Sequence, residues 1–505
     1  ENGVYRLFVD DTVYSLSTLI FGHRNADAET LTAIDNPVNL EEEEFCVSGN
    51  RVYMKTKGQS FSNVELVPWG TSYGHRLTGT DVSYLTIENL DLRGGSTLWA
   101  FAWFGAPSRG LLIENTDFLY VDLYIMQFSM MGVTADTHVN PTVRGCTFDG
   151  MHTAKEGADY RIIHRVQSIE MREAIDGALI ENNVFRNVGH TAVELSMPGS
   201  NKNPVMSSVV SGVKNCIIQN NLVEGANSGY ARAFSIIGHT NVGADHDMVH
   251  DNVVRWNECY GMTTSMHLLG ENNAVYGNIF AFTDLRYTGW NGQPYAIDTV
   301  IWDISNGKHV SKGNVVMNNT IYGDVAGIAL AGKGENLTGN LYANNLLVNH
   351  LNTNSTYMGG IGIDWLSEEG TLYILNNGFY TNWSENKAAL SWNGKTYTAA
   401  EASRYIPNAK GNIDAEPGFK DVDESIRVKY EKCFDFSLRD DSVYRYAGLD
   451  INELDAALLQ QFPILQKLDA SDAGGIQLKD LYGNAFLSKT PSVGAISYTK
   501  TLNGT

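Results

Sequence analysis

The sequence predicts an all-β protein built as a parallel β-helix. A short strand-like phrase recurs ten times, successive copies are 26 or more residues apart, and the phrases show no helical period. A strand that returns in this way, with loops of variable length between its copies, is typical of a solenoid in which each repeat stacks on the next. A β-propeller needs about 40 to 50 residues for each four-stranded blade, so the 26-residue steps are too short for one.

The repeated phrase is six residues long, with an apolar residue at each end and asparagine at its third or fourth position in most copies. The ten copies occupy residues 87–92, 113–118, 143–148, 180–185, 218–223, 249–254, 275–280, 316–321, 342–347 and 374–379. The intervals contain a second strand-like run, as at 192–197 and 327–332. Each coil is therefore predicted to contain two or three short parallel strands joined by turns.

Asparagine fills the fourth position of the phrase in seven successive copies. These residues are Asn183, Asn221, Asn252, Asn278, Asn319, Asn345 and Asn377. Asparagine tolerates the left-handed conformation of a sharp bend, and its amide both donates and accepts hydrogen bonds. Amides stacked along the helix axis can bond to one another, as they do in cross-β stacks. We therefore assign these residues to the scaffold.

The Ile-x-Asn-Asn-x-Phe phrases, each followed by a second strand, resemble the right-handed parallel β-helix proteins of the pectin-lyase-like group over about residues 80 to 395. The resemblance implies a right-handed helix. Because most members of that group act on polysaccharides, it also implies a carbohydrate-active enzyme. The repeat encodes only scaffold, so no catalytic residue is carried over from the group.

Less regular segments flank the repeat. Residues 1–78 contain strand-like runs and predict a β-rich cap or early coils, and residues 79–395 form a predicted core of about ten coils. Residues 396–505 lose the repeat and include an amphipathic pattern at 452–462 that Asn452 could cap. We expect this last part to be an irregular and helical capping segment packed on the β-helix.

Composition restricts the partners. The net charge is −21, from 36 Lys and Arg against 57 Asp and Glu, so the surface repels nucleic acid and anionic membranes. No apolar run approaches the roughly 18 residues of a membrane span. The five cysteines form no CxxC pair, and the His and Asp residues of 238–247 fit neither a zinc nor a calcium pattern. We expect no cofactor and no metal, and the oligomeric state stays open.

The start of the chain bears on location. Residues 1–7 lack the charged and apolar blocks of a signal peptide, so we expect that an upstream segment has been removed. For an enzyme that acts on polysaccharides we expect a secreted, periplasmic or cell-surface location.

The longest coils predict a groove on the outer surface. Steps of 37, 38 and 41 residues place extra chain at about 150–176, 197–213 and 284–310. Loops there would wall a cleft four or five coils wide, roughly 20 to 25 Å at the spacing of parallel strands. A groove of this length suits an extended oligosaccharide or polysaccharide.

Alternation along the strands predicts which side chains form the floor of this groove. Glu194, His239, His267 and Asp298 are expected to point outward as a polar column, with Trp302 also outward and Asp303 at a strand end. Glycoside hydrolysis requires two carboxyl groups, so Asp298, Asp303 and Glu194 are the candidate catalytic residues. The candidate substrate-binding residues are the basic and aromatic groups near the cleft: Arg161, His164, Arg165, His239, His267, Trp290, Tyr295 and Trp302.

Two alternatives to a glycoside hydrolase stay open. A polysaccharide lyase needs a base and a cation, which Arg161 or Arg165 could supply together with His164, His239 or His267. A glycan-binding adhesin needs neither. We favour the hydrolase because an acidic protein is an awkward partner for a polyanionic substrate and because the floor carries carboxylates.

Overall fold

The computed structural model confirms the parallel β-helix. It describes residues 4–9, 12–13, 23–25, 31–33, 36–40, 45–48, 51–54, 64–69, 77–93, 101–105, 107–119, 124–129, 137–150, 167–196, 212–226, 231–238, 249–283, 295–300, 310–332, 337–351, 359–364, 372–468, 475–487 and 489–497. Four long sheets run along the axis, and a full coil places one strand in each. The predicted number of strands in a coil was two or three. The difference is sheet 2, whose strands have two residues each.

Sheet 1 is the longest sheet. Its strands are Leu77–Thr80, Ala102–Gly105, Tyr124–Ser129, Gln167–Arg172, Thr191–Ser196, Arg232–Ile237, Thr264–Leu268, Tyr295–Val300, Ala326–Ala331, Ile361–Asp364, Leu390–Trp392 and Lys395–Tyr397. Sheet 2 contains Ser108–Arg109, His138–Val139, Ile175–Asp176, Val213–Lys214, Val249–His250, Gly270–Glu271, Ser311–Lys312 and Leu337–Thr338. Within the stack all pairs are parallel except the last pair of sheet 1.

Sheets 3 and 4 carry the two halves of the repeated phrase. Sheet 3 contains Thr86–Glu88, Leu112–Glu114, Thr142–Arg144, Leu179–Glu181, Ile217–Gln219, Val253–Arg255, Ala274–Tyr276, Val315–Met317, Asn340–Ala343, Leu372–Leu375 and Ala409–Lys410. Sheet 4 contains Asp91–Arg93, Asp117–Leu119, Thr147–Asp149, Val184–Val188, Leu222–Ala226, Glu258–Met262, Ile279–Thr283, Thr320–Tyr322, Leu346–Val348, Gly378–Tyr380 and Ile413–Asp414. The stacked strands therefore continue beyond residue 395.

The bend between sheets 3 and 4 explains the paired asparagines. The third residue of the phrase takes the left-handed conformation, with φ of 56° at Asn182 and 54° at Asn220, and asparagine adopts this conformation more readily than most residues. The fourth residue is buried, and its amide bonds to the next coil. The amide nitrogens of Asn183, Asn221, Asn257, Asn278, Asn319, Asn345 and Asn377 each donate to the amide oxygen of the following member at 2.9–3.1 Å, and Asn412 ends the row.

One predicted member of this row is wrong. Asn252 lies at the bend between sheets 2 and 3, where its amide donates to Asn273 at 3.1 Å and begins a second row through Asn314. Residues 249–254 have the same pattern as the phrase because they too form a strand, a bend and a second strand, here in sheets 2 and 3. The structural copy of the phrase is 254–259, with Trp256 in the left-handed conformation at φ 56°.

Apolar side chains fill the interior of the helix. Phe118, Phe148 and Phe185 stack face to face along the axis, with 5.0 Å between successive ring centres. Cys146 and Cys216 are buried in the same core. Because the inside of the helix is packed solid, any binding site must lie on an outer face.

The residues after Asp414 cover one side of the helix. They contribute the strands Phe419–Asp421 and Asp435–Leu438, the short helix Ala456–Leu459, and the 3-10 helices Val443–Tyr446, Ile451–Glu453 and Pro463–Lys467. We name residues 416–497 the C-terminal segment. Phe462, Ile464 and Leu465 pack on outward residues of sheet 3 such as Tyr276 and Met317. Phe436 and Val493 pack in the same way on Tyr322 of sheet 4.

The helical pattern predicted at 452–462 is interrupted. Asp450 and Asp455 cap the two short helical turns, whereas Asn452 hydrogen-bonds through its amide to both backbone groups of Ile476. A longer helix, Ala399–Tyr405, begins at Thr398 with a capping box and packs beside the last coil. No helix in the described part of the chain has the length and hydropathy that a membrane crossing requires.

Short strands and a helical turn account for the described residues before the stack. They are Val4–Val9, Thr12–Val13, Val64–Trp69, His23–Asn25, Leu31–Ala33, Phe45–Ser48, Arg51–Met54 and the 3-10 helix Pro37–Asn39. All their pairs are antiparallel, which agrees with a β-rich N-terminal region.

Candidate functional site

A row of polar side chains crosses the outer face of sheet 1. Strand alternation turns Val193 and Leu195 into the core, and this turns Glu194 outward. The strand register then places one residue of each neighbouring strand beside it. We name this set the polar column; along the axis it consists of Gln127, Glu170, Glu194, Ser235, His267 and Asp298. Five steps of about 4.8 Å make the column roughly 24 Å long.

Three of the residues predicted from sequence meet in this column. Glu194, His267 and Asp298 share one register, and Ser235 stands between Glu194 and His267. Tyr295 begins the strand that carries Asp298 and packs on the outward alanines Ala326, Ala329 and Ala331. The other candidates lie outside the described residues: Arg161, His164, Arg165, His239, Trp290, Trp302 and Asp303. Most residues of the loops predicted to wall the groove also lie outside the described residues.

Sequence reasoning missed Glu170 and the groups around it. Residues 159–173 looked like one basic loop of uncertain parity, yet Gln167–Arg172 forms a strand of sheet 1. The signal was the pair Ile169 and Met171, which both enter the core and so turn Glu170 outward. The structure thus adds a second buried glutamate directly beside Glu194.

Glu170 is a buried carboxyl with a raised pKa. Its side chain is buried at 4% exposure, and Gln127 donates an amide hydrogen bond to it. Burial raises its pKa to about 7; the Arg172 guanidinium, 3.5 Å away, opposes this rise, and the neighbouring Glu194 adds to it. The group therefore changes charge close to neutral pH.

Glu194 is held in a similar environment. Its Oε2 atom accepts a hydrogen bond from the Gln167 amide at 2.8 Å and one from the Thr191 hydroxyl at 3.4 Å. Burial raises its pKa, against the opposing effects of Ser196, Arg232 and Arg172. The two glutamates lie at one register on adjacent strands, and the Glu194 charge contributes to the raised pKa of Glu170.

The far end of the column has a different composition. His267 and Asp298 are in register on adjacent strands, and Ser235 is in register with His267. Asp298 is three strand spacings from Glu194, about 14 Å. Inverting glycosidases separate their two carboxyl groups by about 6.5 to 9.5 Å, so the structure does not bring Asp298 and Glu194 together as a catalytic pair.

Arg232 supplies positive charge next to Glu194. It is partly exposed and lies on the strand beside the one that bears Glu194, whose pKa it lowers. In the part of the chain that the structure describes, its guanidinium makes neither a hydrogen bond nor an ion pair. Its donors are therefore available to a bound molecule. Over the same part of the chain, no group of three His, Cys, Asp or Glu residues is arranged to hold a metal ion.

No protein-family model matches the chain, and neither does any curated protein. Among solved structures, the Dettilon tailspike protein is 16% identical, with 61% of this chain and 60% of that chain covered and a TM-score of 0.32. Pectate lyase Pel9A is 11% identical, with 76% and 88% covered and a TM-score of 0.36. XylC, solved with xylose, is 12% identical, with 98% and 79% covered and a TM-score of 0.37. The chain thus spans three fifths of the tailspike, and these likenesses assign no role to any residue.

Proposed function

We propose that the protein is a glycoside hydrolase whose carboxyl pair is Glu170 and Glu194. The observation that carries the proposal is two buried glutamates at one register on adjacent strands, each with a raised pKa. An extended glycan would lie along the polar column, across the strands. Glycoside hydrolysis uses two carboxyl groups in opposite protonation states, and burial raises the pKa of both glutamates, which favours a protonated group near neutral pH.

The two glutamates take different roles. We assign Glu170 as the nucleophile because the Arg172 guanidinium lies 3.5 Å from it and favours its ionised form. Glu194 keeps its proton and acts as the acid. Gln167 and Thr191 donate hydrogen bonds to Oε2 of Glu194, and the Ser196 side chain also donates to this carboxyl.

The reaction then runs in two steps. Glu194 donates its proton to the glycosidic oxygen while Glu170 attacks the anomeric carbon. The bond between that carbon and the glycosidic oxygen breaks, the leaving sugar departs with a hydroxyl group, and a glycosyl ester forms on Glu170. Glu194 next removes a proton from water, and the water displaces Glu170. One strand spacing of about 4.8 Å is close to the 5 to 5.5 Å between the carboxyl groups of retaining glycosidases, so we expect retention of the anomeric configuration.

The remaining predicted residues would bind the substrate. His267 and Asp298 occupy the same face farther along the column, so they would contact more distant sugar units. The earlier roles proposed for Asp303, Arg161, His164, Arg165, His239, Trp290 and Trp302 stay predictions. A secreted, periplasmic or cell-surface location fits a polysaccharide substrate and stays a prediction too.

Arg232 favours a second candidate, a polysaccharide lyase. The Arg232 guanidinium could bind the carboxylate of a uronic acid and so make the neighbouring carbon acidic. Glu170 or Glu194 in its ionised form would then remove that proton. The two reactions differ in their product, because elimination leaves an unsaturated uronide whereas hydrolysis does not.

A product analysis tests the proposal. The purified protein is incubated with a panel of plant, algal and host glycans, and reducing ends and ultraviolet absorbance of unsaturated uronides are measured together. We expect reducing ends without absorbance, and the newly formed product to retain its configuration in NMR spectra taken within the first turnovers. Absorbance rising with the reducing ends would establish the lyase instead. Binding of the protein to a glycan without formation of any product would show that it is a glycan-binding protein and not an enzyme.

Glu258→Gln is a suitable control variant. Glu258 is a partly buried glutamate on sheet 4, where it binds Tyr260 and Lys432 away from the polar column. It should keep full activity while Glu170→Gln and Glu194→Gln lose it. Full activity in the latter two variants would remove this carboxyl pair from the reaction.

A further inference from the structure

We propose that Ser235, His267 and Asp298 form a second catalytic group, which hydrolyses acyl esters on the hydroxyl groups of the glycan. The three residues lie at one register on three successive strands of sheet 1, in the order hydroxyl, imidazole, carboxyl. An acyl hydrolase needs the same order of nucleophile, base and orienting acid, and this group is recognised by geometry and roles rather than by chain position.

The register fixes the spacing of the group. Parallel neighbours are about 4.8 Å apart, so each side chain stands within reach of the next one over the face of the sheet. All three side chains are buried, at 0% exposure for Ser235, 6% for His267 and 9% for Asp298. Neither ring nitrogen of His267 makes a hydrogen bond to Ser235 or Asp298 in this structure. The group would form when side-chain rotations bring the Ser235 hydroxyl and the Asp298 carboxyl to the imidazole.

The Ser235 hydroxyl has no structural role in the described part of the chain. Its Oγ atom is buried and has no hydrogen-bond partner there. A buried hydroxyl without a partner lowers stability relative to a methyl group of the same shape. Farther along the same register the chain uses Ala329 and Gly362. A serine at this position is therefore better explained by chemistry than by packing.

The surroundings of Asp298 suggest the size of the acyl group. Tyr295, Ala326, Ala329 and Ala331 form a small apolar cluster on the outward face, beginning on the strand that carries Asp298. All four side chains are buried and packed together, so the cluster leaves no room for a long acyl chain. The cluster suits a short acyl group such as acetyl, and the alcohol part would be the sugar bound along the column.

The reaction balances with water as the only co-reactant. The Ser235 oxygen attacks the ester carbon, and its proton moves to His267. The bond from that carbon to the sugar oxygen then breaks, and His267 returns the proton to the sugar hydroxyl. Water attacks the acyl-serine, gives its proton to His267, and releases the acid as the proton returns to Ser235. Asp298 acts as a positioning residue, since it orients the imidazole and balances its charge.

This activity does not depend on the proposed glycoside hydrolysis. Ser235 is adjacent to Glu194 at the same register, so one bound chain would reach both groups. Deacylation and chain cleavage give different products, acetate and reducing ends, and each is measured separately. Loss of one proposal therefore leaves the other standing.

The first test measures acetate release. The full chain is incubated with p-nitrophenyl acetate and with chemically acetylated oligosaccharides. We expect Ser235→Ala to lower acetate release at least 1,000-fold with an equal or higher Tm, because removing one member of such a group costs roughly 10⁴-fold or more. Ser391→Ala is the matched control, since Ser391 shares the register beyond Gly362, away from His267. Wild-type protein that releases no acetate, or full activity in Ser235→Ala, would overturn the proposal.

The second test identifies the nucleophile directly. A fluorophosphonate probe should label one serine, and mass spectrometry should place the adduct on the peptide that contains Ser235. His267→Ala should abolish the labelling, and Asp298→Asn should lower kcat for acetate release while KM stays unchanged. An adduct on another serine, or no adduct, would contradict the assignment.

Discussion

The outward residues on two sides of the β-helix differ in kind: they are apolar on one side and ionisable on the other. On sheets 3 and 4, outward positions hold apolar residues such as Tyr276, Met317 and Tyr322, and the C-terminal segment covers them. On sheet 1, the equivalent positions hold Glu170 and Glu194, with ionisable groups farther along the column. Apolar side chains mark a face that the chain itself buries, because burial stabilises them. Buried carboxyl groups with raised pKa values lower stability at neutral pH and are common at functional sites, which is why we propose this face for the chemistry.

The largest expected effect is a loss of activity that is confined to variants of sheet 1. Glu170→Gln and Glu194→Gln should each lower glycan cleavage about 1,000-fold or more, because acid–base or nucleophilic groups contribute at least 10²- to 10⁴-fold. Neither variant should lower the Tm, since a neutral amide replaces a carboxyl whose charge is disfavoured there. Reducing-end assays and thermal melts on the same samples check this. A fall of Tm with unchanged activity per folded molecule would assign these glutamates to the scaffold.

The covered side should show the reverse. Phe462→Ala removes a fully buried ring that packs on Tyr373 and on the outer face of sheet 3. We expect the free energy of unfolding to fall by about 3 to 5 kcal/mol, as for other buried aromatic residues, with kcat/KM unchanged at temperatures where the protein stays folded. Chemical denaturation followed by fluorescence measures this. A large loss of kcat/KM would mean that the two sides are coupled.

The asparagine row tests the scaffold that both sides share. The Asn257 amide donates to Ile218, Arg255 and Asn278, and it accepts from the backbone and side chain of Asn221. Asn257→Ala leaves several of these buried groups without partners, so stability should fall by about 3 kcal/mol. Denaturation curves measure the change. A loss below about 1 kcal/mol would show that water or relaxation replaces the row.

The pH dependence of stability tests the environment of the carboxyl pair. The pKa of Glu170 is about 7 in the folded protein against an ordinary value of 4.5, so folding favours the protonated form. Its contribution to stability is fully present below pH 4.5 and is lost as pH rises to about 7, at most roughly 3 kcal/mol. Unfolding free energies at pH 5 and pH 8 should therefore differ less in Glu170→Gln than in the wild type. Equal slopes would place the titrating group elsewhere.

The smallest expected effect concerns a charged contact at the edge of the covered side. Burial raises the pKa of Asp251, but hydrogen bonds from His250 and Lys467 outweigh it and hold the value at about 2. Asp251 and Lys467 are both partly exposed, so Lys467→Ala should cost under about 1 kcal/mol. Thermal melts at low and high salt check this. A larger loss would show that the C-terminal segment is held by charge more than by apolar packing.

The stacked strands and their inward and outward sides are well predicted from the sequence because the same pattern occurs in every repeat. Ten phrases predicted the stacked strands, and alternation alone placed Glu194, His267 and Asp298 on one face. Prediction from the sequence failed where one sequence pattern fits two different places in the fold. Asn252 looked like a member of the first row because the bend between sheets 2 and 3 uses the same residue types. Glu170 was missed because Arg-rich residues precede its strand.

Coverage by distant segments could not be predicted either. An apolar residue such as Met317 looks the same in sequence whether it enters the core or meets the C-terminal segment. The local sequence pattern predicts on which side of a strand a residue lies. What covers that side depends on tertiary packing, which the local pattern does not contain. For the same reason the raised pKa of Glu194 could not be predicted, because it depends on burial in the folded protein.

A structure of the Glu194→Gln variant with a bound oligosaccharide tests the central claim most directly. The sugar is taken from the glycan that the wild type cleaves, and the variant should hold it intact. We expect the chain to lie along the polar column, with a glycosidic oxygen within hydrogen-bond distance of residue 194 and an anomeric carbon facing Glu170. A sugar bound on another face, or one that contacts neither position, would contradict the assignment of sheet 1 as the catalytic face.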